Sequence, residues 1–268
     1  MLYQAKNGKL NIGGGEMDYI RFGSGSRVLV ILPGLGDGLR TVQGTALPMA
    51  LMYRMFSKEF TVYAFSRRAP LPEGYTTRKM ARDQAEAMDL LGIEKADVFA
   101  VSMGGMIAQY LAADFPQKVN KLILAVTSSR PNAILRESVE EWVALAKQGD
   151  HAAFMDSNLR RIYSADYYRK NRAAVPLLGL LTKPKSYDRF YIQAEACLTH
   201  DAYELLERIA APTLVVGGEQ DFALGADASK EIAAAIPNAQ LKMYPNWGHG
   251  LYEEERTFNP MILEFLLR

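Results

Sequence analysis

Apolar runs and stripes of apolar residues at helical spacing alternate along the first half of the chain. Four short, mostly apolar runs predict strands, and they occupy residues 28–32, 60–65, 98–101 and 121–126. Apolar positions three and four residues apart predict helices over residues 45–57 and 77–91, and another from Met103 up to Pro116. Strands that alternate with helices predict a parallel sheet with right-handed crossovers.

This alternation stops at Pro131 and resumes near residue 210. The intervening stretch has no convincing strand and predicts helices over residues 134–147, 152–163, 166–181 and 187–207, the last with a break near Thr199. After it, strands are predicted over 212–217 and 240–244 and helices over 226–235 and 254–267. Near the start of the chain, residues 16–22 alternate polar and apolar and predict an edge strand.

The combined pattern predicts an α/β fold. Its mostly parallel, about eight-stranded central sheet is flanked by helices, and an α-helical insertion follows the sixth strand. We expect residues 1–129 and 210–268 to form one core and residues 130–209 to form the insertion.

Ser102 lies at the join between a predicted strand and a predicted helix. Small residues surround it, with Ala100 two positions before and Gly104 and Gly105 just after. A strand that turns sharply into a helix crowds its own backbone, so the corner residue is strained and needs small neighbours. The hydroxyl is then exposed beside a helix N-terminus, where backbone N–H groups favour negative charge. The pattern indicates a nucleophile, and the alternative is a serine helix cap followed by packing glycines.

Two polar residues follow the last predicted strands. Asp221 comes just after one strand, and His249, between two glycines, comes after the next. Together with Ser102 they fall on loops at one edge of a parallel sheet. A serine needs a histidine to take its proton, and the histidine needs a carboxylate to fix its tautomer. Asp227 is close enough in sequence to be an alternative carboxylate.

A glycine-rich loop over residues 33–38 follows the first buried strand at the same edge. Open α/β sheets place ligands there, although a plain turn is the alternative, and the absence of a following Gly-Lys-Ser/Thr argues against a phosphate loop. We take Gly34, Gly36 and Trp247 as candidate substrate-binding residues. Packing is the alternative role for Trp247.

Composition narrows the function classes. The chain is 49% hydrophobic and 23% charged with a net charge of +1, so no global field points to nucleic acid. One cysteine and three scattered histidines predict no disulfide and no metal site. No apolar run approaches the ~18 residues that a membrane span needs. We therefore predict a soluble cytoplasmic protein that acts on a small-molecule substrate, with no nucleic-acid or membrane partner; a homodimer is an open alternative to a monomer.

Four segments together resemble the α/β-hydrolase fold superfamily, in its capped serine hydrolase (esterase-like) branch. They are residues 32–36 (Leu-Pro-Gly-Leu-Gly), 100–105 (Ala-Val-Ser-Met-Gly-Gly), 217–221 (Gly-Gly-Glu-Gln-Asp) and 248–249 (Gly-His). The chain departs from the usual pattern at Ala100, where relatives have glycine, and at Pro33, where many have histidine. Relatives often carry an Asp-x-Arg-Gly-x-Gly segment after the next strand, and residues 65–70 of this chain keep only its arginine.

The resemblance implies roles for individual residues. Ser102 would be the nucleophile, His249 the base and Asp221 the orienting acid. The backbone N–H groups of Leu35 and Met103 would form the oxyanion hole, and residues 130–209 would be a cap over the substrate. It implies no cofactor.

Three functions remain open from the sequence. The first is hydrolysis of carboxylic esters, thioesters or lactones, and the second is hydrolysis of a carbon–carbon bond by the same triad. The third is a ligand-sensing protein with slow turnover, for which the sequence predicts no supporting feature such as a large exposed apolar helix. A further hypothesis is that Arg160 or Arg161, in a basic and aromatic stretch, faces the pocket and favours an anionic acyl group.

Overall fold

The computed structural model describes residues 2–268, and within them it has eight β-strands and eleven α-helices. The strands are β1 (Lys6–Ile12), β2 (Gly15–Phe22), β3 (Arg27–Leu32), β4 (Phe60–Phe65), β5 (Ala96–Val101), β6 (Val119–Ala125), β7 (Thr213–Gly218) and β8 (Ala239–Tyr244). The helices are α1 (Ala46–Met52), α2 (Thr77–Leu90), α3 (Met103–Asp114), α4 (Ala133–Gln148), α5 (His151–Ile162), α6 (Ala165–Asn171), α7 (Val175–Thr182), α8 (Asp188–Leu198), α9 (Ala226–Ala235), α10 (Leu251–Glu254) and α11 (Phe258–Leu267).

All eight strands form one sheet in the order β1-β2-β4-β3-β5-β6-β7-β8. The pairs β1–β2 and β2–β4 are antiparallel, and every other pair is parallel. The predicted fold class is therefore confirmed. Because β3, β5, β7 and β8 run in the same direction, the loops after them emerge at one edge of the sheet.

Strand β5 lies in the middle of the sheet, and all six of its residues are buried. Its side chains alternate between two apolar layers. Val98 and Ala100 belong to the layer that includes α2, α3 and α8, whereas Phe99 and Val101 belong to the layer that includes α1 and α11. This double burial explains why the strand is a continuous apolar run in the sequence.

Strand β1 was missed by the sequence analysis. It pairs antiparallel with β2 through a turn at Gly13 and Gly14, both of which have positive φ. Only Ile12 is buried along its length. A polar strand at the edge of a sheet carries little of the apolar alternation on which the prediction depends.

The predicted insertion is present between β6 and β7, as helices α4 to α8. The single helix predicted over 166–181 is wrong, because the structure has α6, a 3₁₀ turn at Arg172–Ala174, and α7. Pro176 lies in the first turn of α7, where its missing N–H costs nothing. The predicted break near Thr199 is confirmed, since α8 ends at Leu198 and a 3₁₀ helix follows at Tyr203–Arg208.

Helix α7 presents an apolar face to solvent. Its buried positions are Val175 and Gly179, and a Cβ added at Gly179 would lie 2.8 Å from the Cα of Ala152 on α5. Four of its leucines are between 42% and 77% exposed: Leu177, Leu178, Leu180 and Leu181. The sequence predicts no large exposed apolar helix, and α7, at eight residues, is a short helix with an exposed apolar face. Within residues 2–268, no helix is both long and apolar enough to cross a bilayer.

Candidate active site

Ser102 occupies the corner between β5 and α3. Its φ of 54° and ψ of −122° are strained values for a residue with a side chain. The corner is held by two hydrogen bonds, one from the Ser102 N–H to the Ala125 carbonyl at 2.9 Å and one from the Thr127 hydroxyl to the Ser102 carbonyl at 2.7 Å. A Cβ at Gly104 would lie 2.0 Å from the Leu32 carbonyl oxygen, so only glycine fits there.

Asp221 and His249 lie on the loops after β7 and β8, at the same edge of the sheet as Ser102. The His249 Nδ1–H donates to Asp221 Oδ2 at 2.9 Å, and both side chains are buried. The other carboxylate oxygen, Oδ1, accepts the backbone N–H groups of Ala223 and Leu224, each at 2.9 Å. Three hydrogen bonds thus fix the carboxylate and, through it, the orientation of the imidazole.

The alternative carboxylate, Asp227, does not approach the histidine. Its side chain is 98% exposed, and it pairs with Lys230 on its own helix. The geometry therefore selects Asp221 as the partner of His249.

Ser102 and His249 line the same cavity, which has a volume of about 290 Å³. Five residues of the glycine-rich loop after β3 also line it, namely Pro33, Gly34, Leu35, Gly36 and Asp37. Leu35 begins a 3₁₀ helix (Leu35–Gly38), and Met103 begins α3. Amides in the first turn of a helix have no acceptor within that helix, so both are free to face a ligand.

Trp247, the third candidate for substrate binding, lies outside the lining of this cavity. Its indole N–H donates to Glu255 Oε2 at 2.6 Å, and its ring packs against the apolar layer that contains α11. In the structure, Trp247 thus stabilises the chain just before His249.

The insertion supplies the other wall of the cavity, and sequence reasoning missed these residues. They are Trp142 on α4, Phe154, Asn158 and Ile162 on α5, and Phe190 on α8. Aromatic residues on an amphipathic helix look the same in sequence whether they fill a core or line a cavity, so no local signal marks them.

The remaining histidines lie apart from the cavity. His200 faces the Thr77 hydroxyl at 2.9 Å, and burial lowers its pKa to about 3. His151 accepts a hydrogen bond from the Tyr187 hydroxyl at 2.6 Å, and burial likewise lowers its pKa. Among residues 2–268, no cluster of three metal-ligating side chains occurs.

Arg160 and Arg161 also lie outside the cavity. Both pair with Glu141, and Arg161 pairs with Glu137 as well. They line a separate surface groove beside Phe222. The hypothesis that one of them faces the acyl group gains no support from this placement.

The family model for the alpha/beta hydrolase fold matches residues 27–256, which include every residue of the site described above. The chain belongs to this family. Two of the similar curated relatives are each named "Putative carbamate hydrolase RutD". The protein from Caulobacter sp. (strain K31) is 29% identical over 73% of this chain and 74% of its own. The one from Caulobacter segnis is 26% identical over 91% of this chain and 92% of its own.

Two solved structures show the same fold. MGS-M2, an alpha/beta hydrolase enzyme from a Medee basin deep-sea metagenome library, superposes with a TM-score of 0.83 at 24% identity over 97% of this chain and 98% of its own. The enol-lactonase from Burkholderia xenovorans LB400 has a TM-score of 0.81 at 22% identity, over 97% of this chain and all of its own. The names of the relatives and the shared fold together support a hydrolase.

Proposed function

We propose that the protein is a serine hydrolase of small-molecule carboxylic esters, thioesters or lactones, which acts through Ser102, His249 and Asp221. One observation carries this proposal. The hydrogen-bonded His249–Asp221 pair and the strained Ser102 follow three different strands, and Ser102 and His249 line one cavity. A strained serine that shares a cavity with an oriented imidazole supports an activated nucleophile.

The reaction follows from the orientation of the imidazole. Because Nδ1–H donates to Asp221, the other ring nitrogen, Nε2, is the base that takes the proton of the Ser102 hydroxyl. The Ser102 oxygen attacks the carbonyl carbon, and the N–H groups of Leu35 and Met103 stabilise the negative oxygen of the tetrahedral intermediate. His249 then protonates the leaving group, and an acyl-enzyme remains. Water, deprotonated by His249, releases the acid and restores Ser102.

The helical insertion acts as the cap in this mechanism, with residues 130–209 closing over a core made of residues 1–129 and 210–268. Its aromatic side chains on α4, α5 and α8 form a largely apolar wall of the cavity that Ser102 lines. A wall of this kind excludes bulk water while the acyl-enzyme forms and favours small, largely apolar acyl groups.

A carbamate is the second candidate substrate. It is favoured by the similarity to proteins named as putative carbamate hydrolases, which in one case extends over 91% of this chain. The same nucleophile would attack the carbamate carbonyl, and the same N–H groups would hold its oxygen.

The test combines labelling and turnover. We expect a fluorophosphonate to label the wild type at Ser102 and not Ser102→Ala, and we expect His249→Ala and Asp221→Asn to lose turnover of a p-nitrophenyl ester series by about 10³-fold or more. Asp227→Asn is the matched control and keeps wild-type rates. A parallel series of p-nitrophenyl carbamates separates the two substrate classes by kcat/KM. Wild-type turnover in Ser102→Ala would refute the mechanism.

A further inference from the structure

A buried carboxylate lies two residues after Leu35, in the same 3₁₀ helix. Asp37 is almost completely buried, and its Oδ2 atom accepts three hydrogen bonds. Two come from helix α8, from Arg189 Nη2 at 2.5 Å and from Gln193 Nε2 at 3.2 Å, and the third comes from the Arg67 backbone N–H at 3.2 Å. The carboxylate therefore connects the glycine-rich loop to the insertion.

Arg189 contacts both the glycine-rich loop and the segment that follows β4. Besides the Asp37 carboxylate, its guanidinium donates to the backbone carbonyls of Asp37 at 3.0 Å, Arg68 at 2.8 Å and Arg67 at 2.8 Å. A planar guanidinium can serve four acceptors in fixed directions, which an ammonium group cannot do. The position thus depends on arginine and not only on positive charge.

The other end of the loop has its own arginine. Arg67 Nη2 donates to the Pro33 carbonyl at 2.7 Å. The segment from Pro33 to Asp37 is therefore fixed at both ends by guanidinium groups, and the Leu35 amide lies between the two anchors. Close packing adds to this, because a Cβ at Gly38 would lie 2.9 Å from the Phe190 Cα on α8.

We propose that Asp37 and Arg189 are positioning residues for the oxyanion hole, and that they make its assembly depend on the seating of α8. This inference rests on the proposed hydrolase function. Arg189 and Phe190 are neighbours on α8, so the same helix that places an aromatic side chain in the substrate cavity also places the guanidinium on the loop. When α8 moves away from the loop, the contacts that hold the Leu35 amide in place break, and Phe190 leaves the cavity wall at the same time.

The kinetic consequence follows from the role of the amide. A displaced oxyanion donor weakens binding to the transition state more than binding to the ground-state ester, since the full charge develops only in the transition state. In Arg189→Met, Arg189→Lys and Asp37→Asn we expect kcat to fall by about 10²-fold, with KM within about threefold of wild type. Arg160→Met, a change at an exposed arginine of the insertion, is the control and keeps both constants.

The experiment measures steady-state kinetics, the rate of fluorophosphonate labelling and thermal unfolding on the same full-length variants. We expect slower labelling in step with kcat at temperatures where all variants are folded. Millimolar guanidinium should restore part of the activity of Arg189→Ala, and the double variant Asp37→Asn/Arg189→Met should lose no more than the worse single variant.

Three results would overturn the proposal. One is a wild-type kcat in folded Arg189→Met, another is a full rate in Arg189→Lys, and the third is a loss that appears only in KM. These outcomes are distinct from a failure of the proposed function, because that failure would show as no labelling of Ser102 in the wild type.

Discussion

At the scale of single residues, the site depends on glycines, which have no side chain, as much as on the polar residues. The corner at Ser102 exists because Gly104 and Gly105 let α3 pass close to β3 and to Thr127. Sequence alone predicted this corner, since small residues at fixed spacing around a serine are a local signal.

Gly104 and Gly36 provide a matched test of this close approach. An alanine Cβ at Gly104 would lie 2.0 Å from the Leu32 carbonyl oxygen, whereas a Cβ at Gly36 meets nothing within 4 Å. We expect Gly104→Ala to lower the free energy of unfolding by about 3 kcal/mol or more, because the backbone must shift, and Gly36→Ala to change it by less than about 0.5 kcal/mol. Urea denaturation followed by circular dichroism measures both, and equal effects would contradict the account.

A substitution at Trp247 tests whether its indole stabilises the fold or contacts the substrate. Trp247→Phe removes the hydrogen bond to Glu255 but keeps an aromatic ring in the apolar layer. We expect a loss of about 1 kcal/mol in the free energy of unfolding, with KM for the ester series unchanged. A change in KM that depends on acyl-chain length would instead place the indole against the substrate.

At the scale of elements, the strands that carry the site were predictable and the walls of the cavity were not. Strands β3, β5, β7 and β8 are marked by local apolar runs or by position, and their shared edge follows from parallel pairing. Which faces of α4, α5 and α8 look into the cavity depends on how the helices pack on each other, and this is not encoded at any one position. Asp37 and Arg189 are 152 positions apart in the chain, so no local sequence pattern predicts that they pair.

Helix α7 gives a prediction for stability. Leu180 is 77% exposed, whereas Leu111 on α3 is fully buried. We expect Leu180→Ala to change the free energy of unfolding by less than about 0.5 kcal/mol and Leu111→Ala to lower it by about 2–5 kcal/mol. Thermal and urea unfolding of the two variants check this, and a large loss in Leu180→Ala would show that the leucine face is covered.

At the scale of the whole molecule, His200 makes stability depend on pH. Burial lowers its pKa to about 3 in the folded protein, against about 6.5 in the unfolded chain. Between these values the unfolded state binds a proton that the folded state does not, so the free energy of unfolding falls as pH decreases from 6.5 towards 3. Above pH 6.5 His200 is neutral in both states, so it no longer changes the free energy of unfolding with pH.

The effect of His200 can be isolated by comparison with His200→Gln. We expect the wild type to lose up to about 1.4 kcal/mol per pH unit more than the variant between pH 6.5 and 4, as measured by urea unfolding at each pH. Parallel stability curves for the two proteins over this range would contradict the assignment.

Cys197, the single cysteine of the chain, lies on α8 and is only 3% exposed. Burial raises the pKa of its thiol to about 12, so the folded molecule presents neither access nor thiolate to a reagent. We therefore expect a disulfide reagent added to the native protein to react with those molecules in which α8 has moved away from α4 and the Leu35–Gly38 turn. We expect the rate of this thiol reaction to report how often α8 moves, and a substrate analogue that holds α8 in place to lower that rate without an introduced label.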